Sequence, residues 1–256
     1  MIIKRILKNI FNLILILLFT IILSSCETKK DDKNNLRVLI NSGYRPYEMV
    51  NQKGEFYGFD IELINKLAEL TGYKITIQDV SFDAIIDMIK NNQADLAISG
   101  ITFTQERAKQ VDFSQTYYRS QDTCYILFKK ELDISKTEDL SNKRVGVQIG
   151  SIQEQTSFEL SSLYNTKIEH LTNYADLLQE LDKNKIDAIV LEKEVAKEII
   201  KDNLKFNYFK LEVNTKLEGN CIVFPKNSFL TKKFDNALDT LKSNGFLDNL
   251  IKKYFG

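Results

Sequence analysis

Short apolar runs and amphipathic stretches alternate along this chain in two successive sets, and that alternation limits its possible folds more than any other feature. In the first set, 36–40 (LRVLI) is a strand-like run. Residues 59–70 follow, with Phe59, Leu63, Leu67 and Leu70 at helical spacing and Gly72 placed to end the helix. A strand over 75–77, a helix over 82–89 and a strand over 95–98 come next, and Thr104 is positioned to cap a short helix carrying Arg107. The second set repeats the rhythm: strands over 144–147, 168–171 and 187–191, and helices from Gly150-Ser151 to about Leu163, over 174–181 and over 193–200. Residues 229–254 read as two helices broken near Asn244-Gly245. Alternating units of this length predict an α/β protein of two lobes, each a mostly parallel sheet flanked by helices. No Gly/Pro-rich linker separates the two sets, so a hinge is expected rather than beads on a string.

The N-terminus reads as an export signal. Lys4, Arg5 and Lys8 precede an apolar run over 10–23, which is too short for the roughly 20 residues of a membrane-spanning helix. The run ends in Leu23-Ser24-Ser25-Cys26, which resembles a bacterial lipobox. That resemblance implies a signal peptide over 1–25 and a diacylglyceryl group on Cys26, with membrane attachment through more than one acyl chain. Residues 27–35 contain no apolar side chain, so 26–35 is expected to be a lipidated, flexible tether.

Charge and rare residues exclude several function classes. The 35 basic and 35 acidic residues cancel, and loss of Lys4, Arg5 and Lys8 with the signal leaves 32 against 35. A bulk nucleic-acid binder is not expected from such a chain. One histidine, His170, cannot build a multi-histidine metal site or a histidine relay, and no cofactor is called for. Cys124 and Cys221 each sit in an apolar strand-like run, and export leaves both a disulfide and two buried thiols open.

Two segments have the form of anion sites. Ser99, Gly100, Thr102 and Arg107 follow a strand and open a helix, and Gly150-Ser151-Ile152 does the same in the second set. Hydroxyls, free amides and one guanidinium suit a carboxylate.

The phrases Tyr44-Arg-Pro-Tyr47, Gly54-Glu-Phe-Tyr-Gly-Phe-Asp60, Ser81-Phe-Asp-Ala-Ile-Ile86, Ala94-Asp-Leu-Ala-Ile-Ser-Gly-Ile-Thr-Phe-Thr-Gln-Glu-Arg107 and Val111-Asp-Phe-Ser-Gln-Thr-Tyr117 occur in order. Asp139-Leu-Ser-Asn-Lys-Arg-Val-Gly-Val-Gln148, Lys185-Ile-Asp-Ala-Ile189 and Leu241-Lys-Ser-Asn-Gly-Phe-Leu247 continue the series. Together, over residues 36–256, they resemble the bacterial extracellular solute-binding protein family 3, the polar amino-acid binding proteins of ABC importers. The resemblance implies a type II periplasmic-binding-protein-like fold with two hinge crossings, near 119–125 and 215–222. It implies one lobe over 36–119 plus 220–256 and the other over 120–219.

The same resemblance implies the site. Arg107 would meet a ligand α-carboxylate, with Ser99, Gly100 and Thr102 beside it and the amide of Ser151 or Ile152 reaching it from the other lobe. Glu192, where aspartate is more usual, would meet the α-ammonium. Tyr44 and Phe82 would sandwich the ligand side chain, and Asn41 and Gln148 fall at specificity positions. Their neutrality argues against a direct acid partner for a cationic side chain. The implied protein is a monomeric, lipid-anchored lipoprotein of the periplasm or cell surface that passes a free amino acid to an ABC permease. Other readings of the same fold are a ligand sensor or surface lipoprotein, and a periplasmic dehydratase-like enzyme.

Overall fold

The computed structural model describes residues 34–120, 124–212 and 219–256. The expected signal peptide and Cys26 lie outside the described residues, as do parts of both expected crossings. Among the described residues no helix is long and apolar enough to cross a membrane.

The first half contains β1 (Asn35–Ile40), a small hairpin of β2 (Met49–Val50) and β3 (Phe56–Tyr57), and α1 (Phe59–Thr71). It continues with β4 (Lys74–Asp79), α2 (Ile85–Lys90), β5 (Leu96–Ala97), α3 (Gln105–Ala108) and β6 (Asp112–Phe113). The second half contains β7 (Tyr125–Lys129), β8 (Arg144–Gln148), α4 (Ile152–Tyr164), β9 (Lys167–Leu171) and α5 (Tyr174–Asp182). It ends with β10 (Ala188–Leu191), α6 (Lys193–Asp202) and β11 (Phe206–Lys210). The chain closes with β12 (Val223–Phe224), α7 (Phe229–Ser243) and α8 (Phe246–Phe255).

Local signals explain most boundaries. Gly72 takes the left-handed conformation at the end of α1, and the N–H of Tyr73 returns to the Ala68 carbonyl. Thr104 caps α3 by accepting the N–H of Arg107, and Ser151 caps α4 by accepting that of Glu154. The stretch expected as one helix over 82–89 divides into a 3-10 turn, Phe82–Ala84, and α2.

The twelve strands form two five-stranded sheets, one per lobe, in the orders β4-β1-β5-β12-β6 and β11-β7-β10-β8-β9, plus the β2-β3 hairpin. In the first sheet β1 pairs parallel with β4 and β5, while β12 pairs antiparallel with β5 and β6. In the second, β8 pairs parallel with β9 and β10, while β7 pairs antiparallel with β10 and β11. The lobes are therefore α/β with mostly parallel sheets, as expected, and each sheet is mixed only through one strand, β12 or β7, that runs against the other four. The cause is the double crossing. Helix crossovers make successive strands parallel. The strand that enters each lobe from the other, β7 or β12, slots between two such strands and runs against them.

The described flanks of the two connections lie side by side. The N–H of Asn220 meets the Tyr118 carbonyl at 2.7 Å, and the N–H of Leu211 meets the Cys124 carbonyl at 3.0 Å. Cys124 and Cys221 are both buried, and no disulfide joins them. Cys124 Sγ sits 3.4 Å from the Thr156 hydroxyl and Cys221 Sγ 3.6 Å from that of Thr116, so each thiol has its own polar neighbour.

Both faces of each sheet are covered, which is why the strands read as nearly continuous apolar runs. Val38 and Ile40 pack toward Leu63, Leu67, Phe234 and Leu238, while Leu39 packs toward Ile85 and Ile89 on the other face. In the second sheet Leu127 and Ile189 face Leu177 and Leu181, and Val147 and Val190 face Leu160. This packing fixes the carboxyl ends of the parallel strands, where ligands bind in open α/β sheets.

Candidate functional site

A small, partly enclosed cavity lies where the strand ends of the two sheets meet. The residues that reach it come from turns immediately after strands: Asn41 after β1, Ser99, Gly100 and Thr102 after β5, Gln148 at the end of β8, and Glu192 after β10. Tyr44 comes from the loop before β2, Phe82 from the 3-10 turn, Arg107 from α3, and Ser151 and Ile152 from the start of α4. All eleven residues singled out from the sequence line this one cavity, joined by Glu48 and Gln153.

Arg107 is 8% exposed. Its Nη1 donates to the Thr102 carbonyl at 2.7 Å and its Nη2 to the Gly150 carbonyl at 2.8 Å, so it touches both lobes. Its guanidinium lies 5.7 Å from the centre of the Phe82 ring. Burial pulls its pKa down to about 10, which leaves it charged at neutral pH.

Glu192 stands at the N-cap position of α6 in the opposite lobe, without a side-chain capping bond, and is 2% exposed. The Tyr47 hydroxyl donates to its Oε2 at 2.7 Å. Burial first, then the charges of Asp60 and Glu194, push its pKa up to about 7, against the pull of the Tyr47 hydrogen bond.

The amides at the expected specificity positions bond to one another. Gln148 Nε2 donates to Asn41 Oδ1 at 2.8 Å and to the Thr172 carbonyl at 3.1 Å, while Asn41 Nδ2 donates to the Val80 carbonyl. Tyr44 stacks on Tyr47 with ring centres 5.5 Å apart and meets the edge of Tyr174 at 5.2 Å. One wall of the cavity is therefore aromatic and rigidly held.

Of the two lining residues the sequence reading missed, Glu48 and Gln153, Glu48 carries the charge. It is fully buried, its Oε1 accepts the Ser99 hydroxyl, and its Oε2 has no hydrogen-bond partner. Burial and the neighbouring Asp60 raise its pKa well above the ordinary carboxylate range, while the Ser99 bond pulls the other way. Glu48 thus adds a carboxyl group to a lining whose two expected specificity positions, Asn41 and Gln148, are neutral. The sequence does carry a faint signal: Glu48 follows Tyr44-Arg-Pro-Tyr47 directly, in a turn with no periodic pattern to conceal it. A second buried acid, Asp60, stands behind Glu48. Its Oδ2 accepts the Gly100 N–H at 2.7 Å and the Tyr117 hydroxyl at 3.0 Å.

Among the described residues the lining carries one buried guanidinium and two buried carboxyl groups. Unpaired charge is costly there, so a complementary occupant presents both an anionic and a cationic group.

Comparison with known proteins gives consistent relatives. The chain is 39% identical over 233 residues to the arginine-binding extracellular protein ArtP of Bacillus subtilis, covering 91% of this chain and 90% of that protein. It is 30% identical over 258 residues to a probable histidine-binding protein of Campylobacter jejuni, covering 96% of this chain and 98% of that one. An ancestral arginine-binding protein solved with arginine superposes with a TM-score of 0.80 at 33% identity, covering 88% of this chain and 99% of that chain. A sequence model of one family matches residues 36–256, spanning both sheets and the cavity between them. The chain thus belongs to the bacterial extracellular solute-binding proteins, family 3.

Proposed function

We propose that this solute-binding protein takes up a free cationic amino acid, arginine or a close analogue, between its lobes and presents it to an ABC permease. The observation that carries the reading is the charge of the cavity. Glu48 and Glu192 oppose the single Arg107, and Glu48 Oε2 is buried without a partner. With all three ionised the cavity holds one negative charge in excess, and a zwitterion with a cationic side chain brings one positive charge. Arg107 takes the α-carboxylate, with Ser99, Gly100, Thr102 and the amides of Ser151 and Ile152 around it. Glu192 takes the α-ammonium and Glu48 the side-chain cation. Tyr44 and Phe82 flank the aliphatic stem, and Asn41 and Gln148 border it. The arginine-binding relatives support the same class.

Arg107 and Glu192 sit in different lobes, taken as 36–119 plus 220–256 and 120–219. A ligand bridging them favours the closed arrangement by its differential affinity for it. Binding requires no bond to form or break, and no cofactor, so the ligand leaves unchanged. The protein acts as a monomer outside the cytoplasmic membrane, exported by residues 1–25 and anchored through acyl chains on Cys26. Incorporation of labelled palmitate, lost in Cys26→Ser, tests the anchor.

Calorimetric titration of the purified protein with arginine, lysine, ornithine, histidine, glutamine and glutamate tests the ligand class. Tight binding confined to the cationic members, with ligand recovered intact, is expected. Preference for glutamine or glutamate overturns the cationic assignment, and chemical conversion of the ligand overturns the binding-protein reading.

A further inference from the structure

Asp60 reaches no surface of the cavity, yet it is built into the same frame as Glu48. The N–H groups of Phe59 and Asp60 donate to the carbonyls of Pro46 and Tyr47, both at 3.0 Å, which straps the start of α1 to the loop that carries Glu48. At Gly58 a Cβ would lie 2.3 Å from the Tyr47 carbonyl oxygen, so the two segments approach as closely as backbones can. From the other side, consecutive residues hold the two acids: the Ser99 hydroxyl binds Glu48 Oε1 and the Gly100 N–H binds Asp60 Oδ2. The second oxygens, Glu48 Oε2 and Asp60 Oδ1, are both buried and both lack a partner. Two carboxylates in such a place cannot both ionise cheaply.

The surrounding groups do not relieve this. The charged neighbours that bear on Glu48 are acids: Asp60 on α1, Glu192 before α6 and Asp79 at the end of β4. Tyr117, with Cys221 beside it, faces Asp60, while Tyr44 and Tyr47 line the same loop. Arg107 on α3 is the cation that shares the cavity lining with Glu48.

We propose that Asp60 is a positioning residue that shares a proton with Glu48, so that a cationic side chain entering the cavity expels that proton and a neutral one leaves it in place. This rests on the cationic-ligand reading above. The displaced proton passes to solvent, and Glu48 exchanges an O–H for a guanidinium or ammonium partner. The direction of the titration agrees: burial lifts Asp60 to about 7, against the pull of the Gly100 and Tyr117 hydrogen bonds, and burial and Asp60 together lift Glu48. Because a cation favours the ionised pair, binding strengthens as pH rises, by roughly tenfold per pH unit while a whole proton is released.

Titration with L-arginine in buffers of different ionisation enthalpy counts the protons directly. At mildly acidic pH the α-ammonium of either kind of ligand ionises Glu192, so L-arginine is expected to release about one proton more than any neutral amino acid that binds. In Asp60→Asn, which keeps an oxygen for Gly100 and Tyr117, that excess should fall toward zero and the pH dependence of arginine affinity should approach that of a neutral ligand. Arginine binding with no excess release overturns the inference and leaves the cationic reading intact, as does an excess undiminished in Asp60→Asn, which assigns the proton to Glu48 alone. Failure of every cationic amino acid to bind overturns that reading and the inference with it. Should Asp60→Asn not fold, infrared difference spectra of the unaltered protein serve. A protonated-carboxyl band lost with arginine but kept with a neutral amino acid that binds supports the shared proton, and equal loss with both overturns it.

Discussion

Glu192→Gln should make the protein more stable and nearly useless as a receptor. The Glu192 carboxylate is 2% exposed, and burial lifts its pKa from an ordinary value near 4.5 to about 7. The native state therefore keeps a proton that the unfolded chain gives up, and stability falls as pH rises from about 4.5 to about 7. Below that window the group contributes nothing either way; above it the full penalty applies, about 3 kcal/mol at 1.36 kcal/mol per pH unit. Glutamine keeps the shape and an oxygen for the Tyr47 hydroxyl, which now donates at 2.7 Å, but carries no charge to desolvate. Urea unfolding should show little difference between the variant and its parent at pH 4, and a gain approaching about 3 kcal/mol at pH 8. With ligand the sign reverses, because an α-ammonium left without its carboxylate is a buried unpaired charge, worth about 3–5 kcal/mol and at least a hundredfold in Kd. A variant less stable than its parent at pH 8, or one that binds arginine undiminished, would refute this account of Glu192.

Arg107→Ala removes the only cation among the described residues of the cavity lining, together with its bonds to the Thr102 and Gly150 carbonyls. Calorimetry should show affinity reduced by about a hundredfold or more, and a loss under tenfold would remove Arg107 from the carboxylate site. Cys124 and Cys221 should resist thiol reagents in the native protein and both react in denaturant without reductant; peptide mapping that finds them joined overturns this. Gly58→Ala places a Cβ 2.3 Å from the Tyr47 carbonyl oxygen at φ 133°, so thermal unfolding should register a loss of about 3 kcal/mol or more. An unchanged midpoint would mean that the strap between α1 and the Glu48 loop yields easily.

How far the sequence discloses this fold follows from the range of the forces involved. Helices α1, α4, α5, α6, α7 and α8 declare themselves through apolar spacing and caps such as Gly72 and Ser151, which act within a few residues. Strands β1, β4, β8, β9 and β10 declare themselves as short apolar runs between those helices. The antiparallel partners were harder to place. β12 is two residues long and meets β5 more than a hundred positions earlier in the chain, at Val223 and Ala97. Its direction is set by the return from the other lobe, which no local periodicity encodes. The β2-β3 hairpin, with two residues in each strand, likewise leaves no usable pattern.

The cavity divides along the same line. Arg107, Ser99 and Gly100 sit in a strand–turn–helix segment whose chemistry can be read from one stretch of sequence, and the structure brings them to the cavity. Glu48 cannot be valued that way, because its burial depends on Ser99, 51 positions away, and on Asp60 beyond the hairpin. Read as isolated positions, neutral Asn41 and Gln148 argue against a direct acid partner for a cationic side chain. In the structure they spend their polar groups on each other and on the carbonyls of Val80 and Thr172, tying one lobe to the other. Under the proposed function, discrimination by charge then falls to Glu48, the acid whose second oxygen is left unpaired. Exchanging Asn41 for aspartate would put a third carboxylate beside Glu48 and Glu192 and break that tie, whereas Glu48→Gln would remove the excess negative charge and leave the tie alone. The second substitution, not the first, is the one expected to turn a receptor for cations toward neutral amino acids.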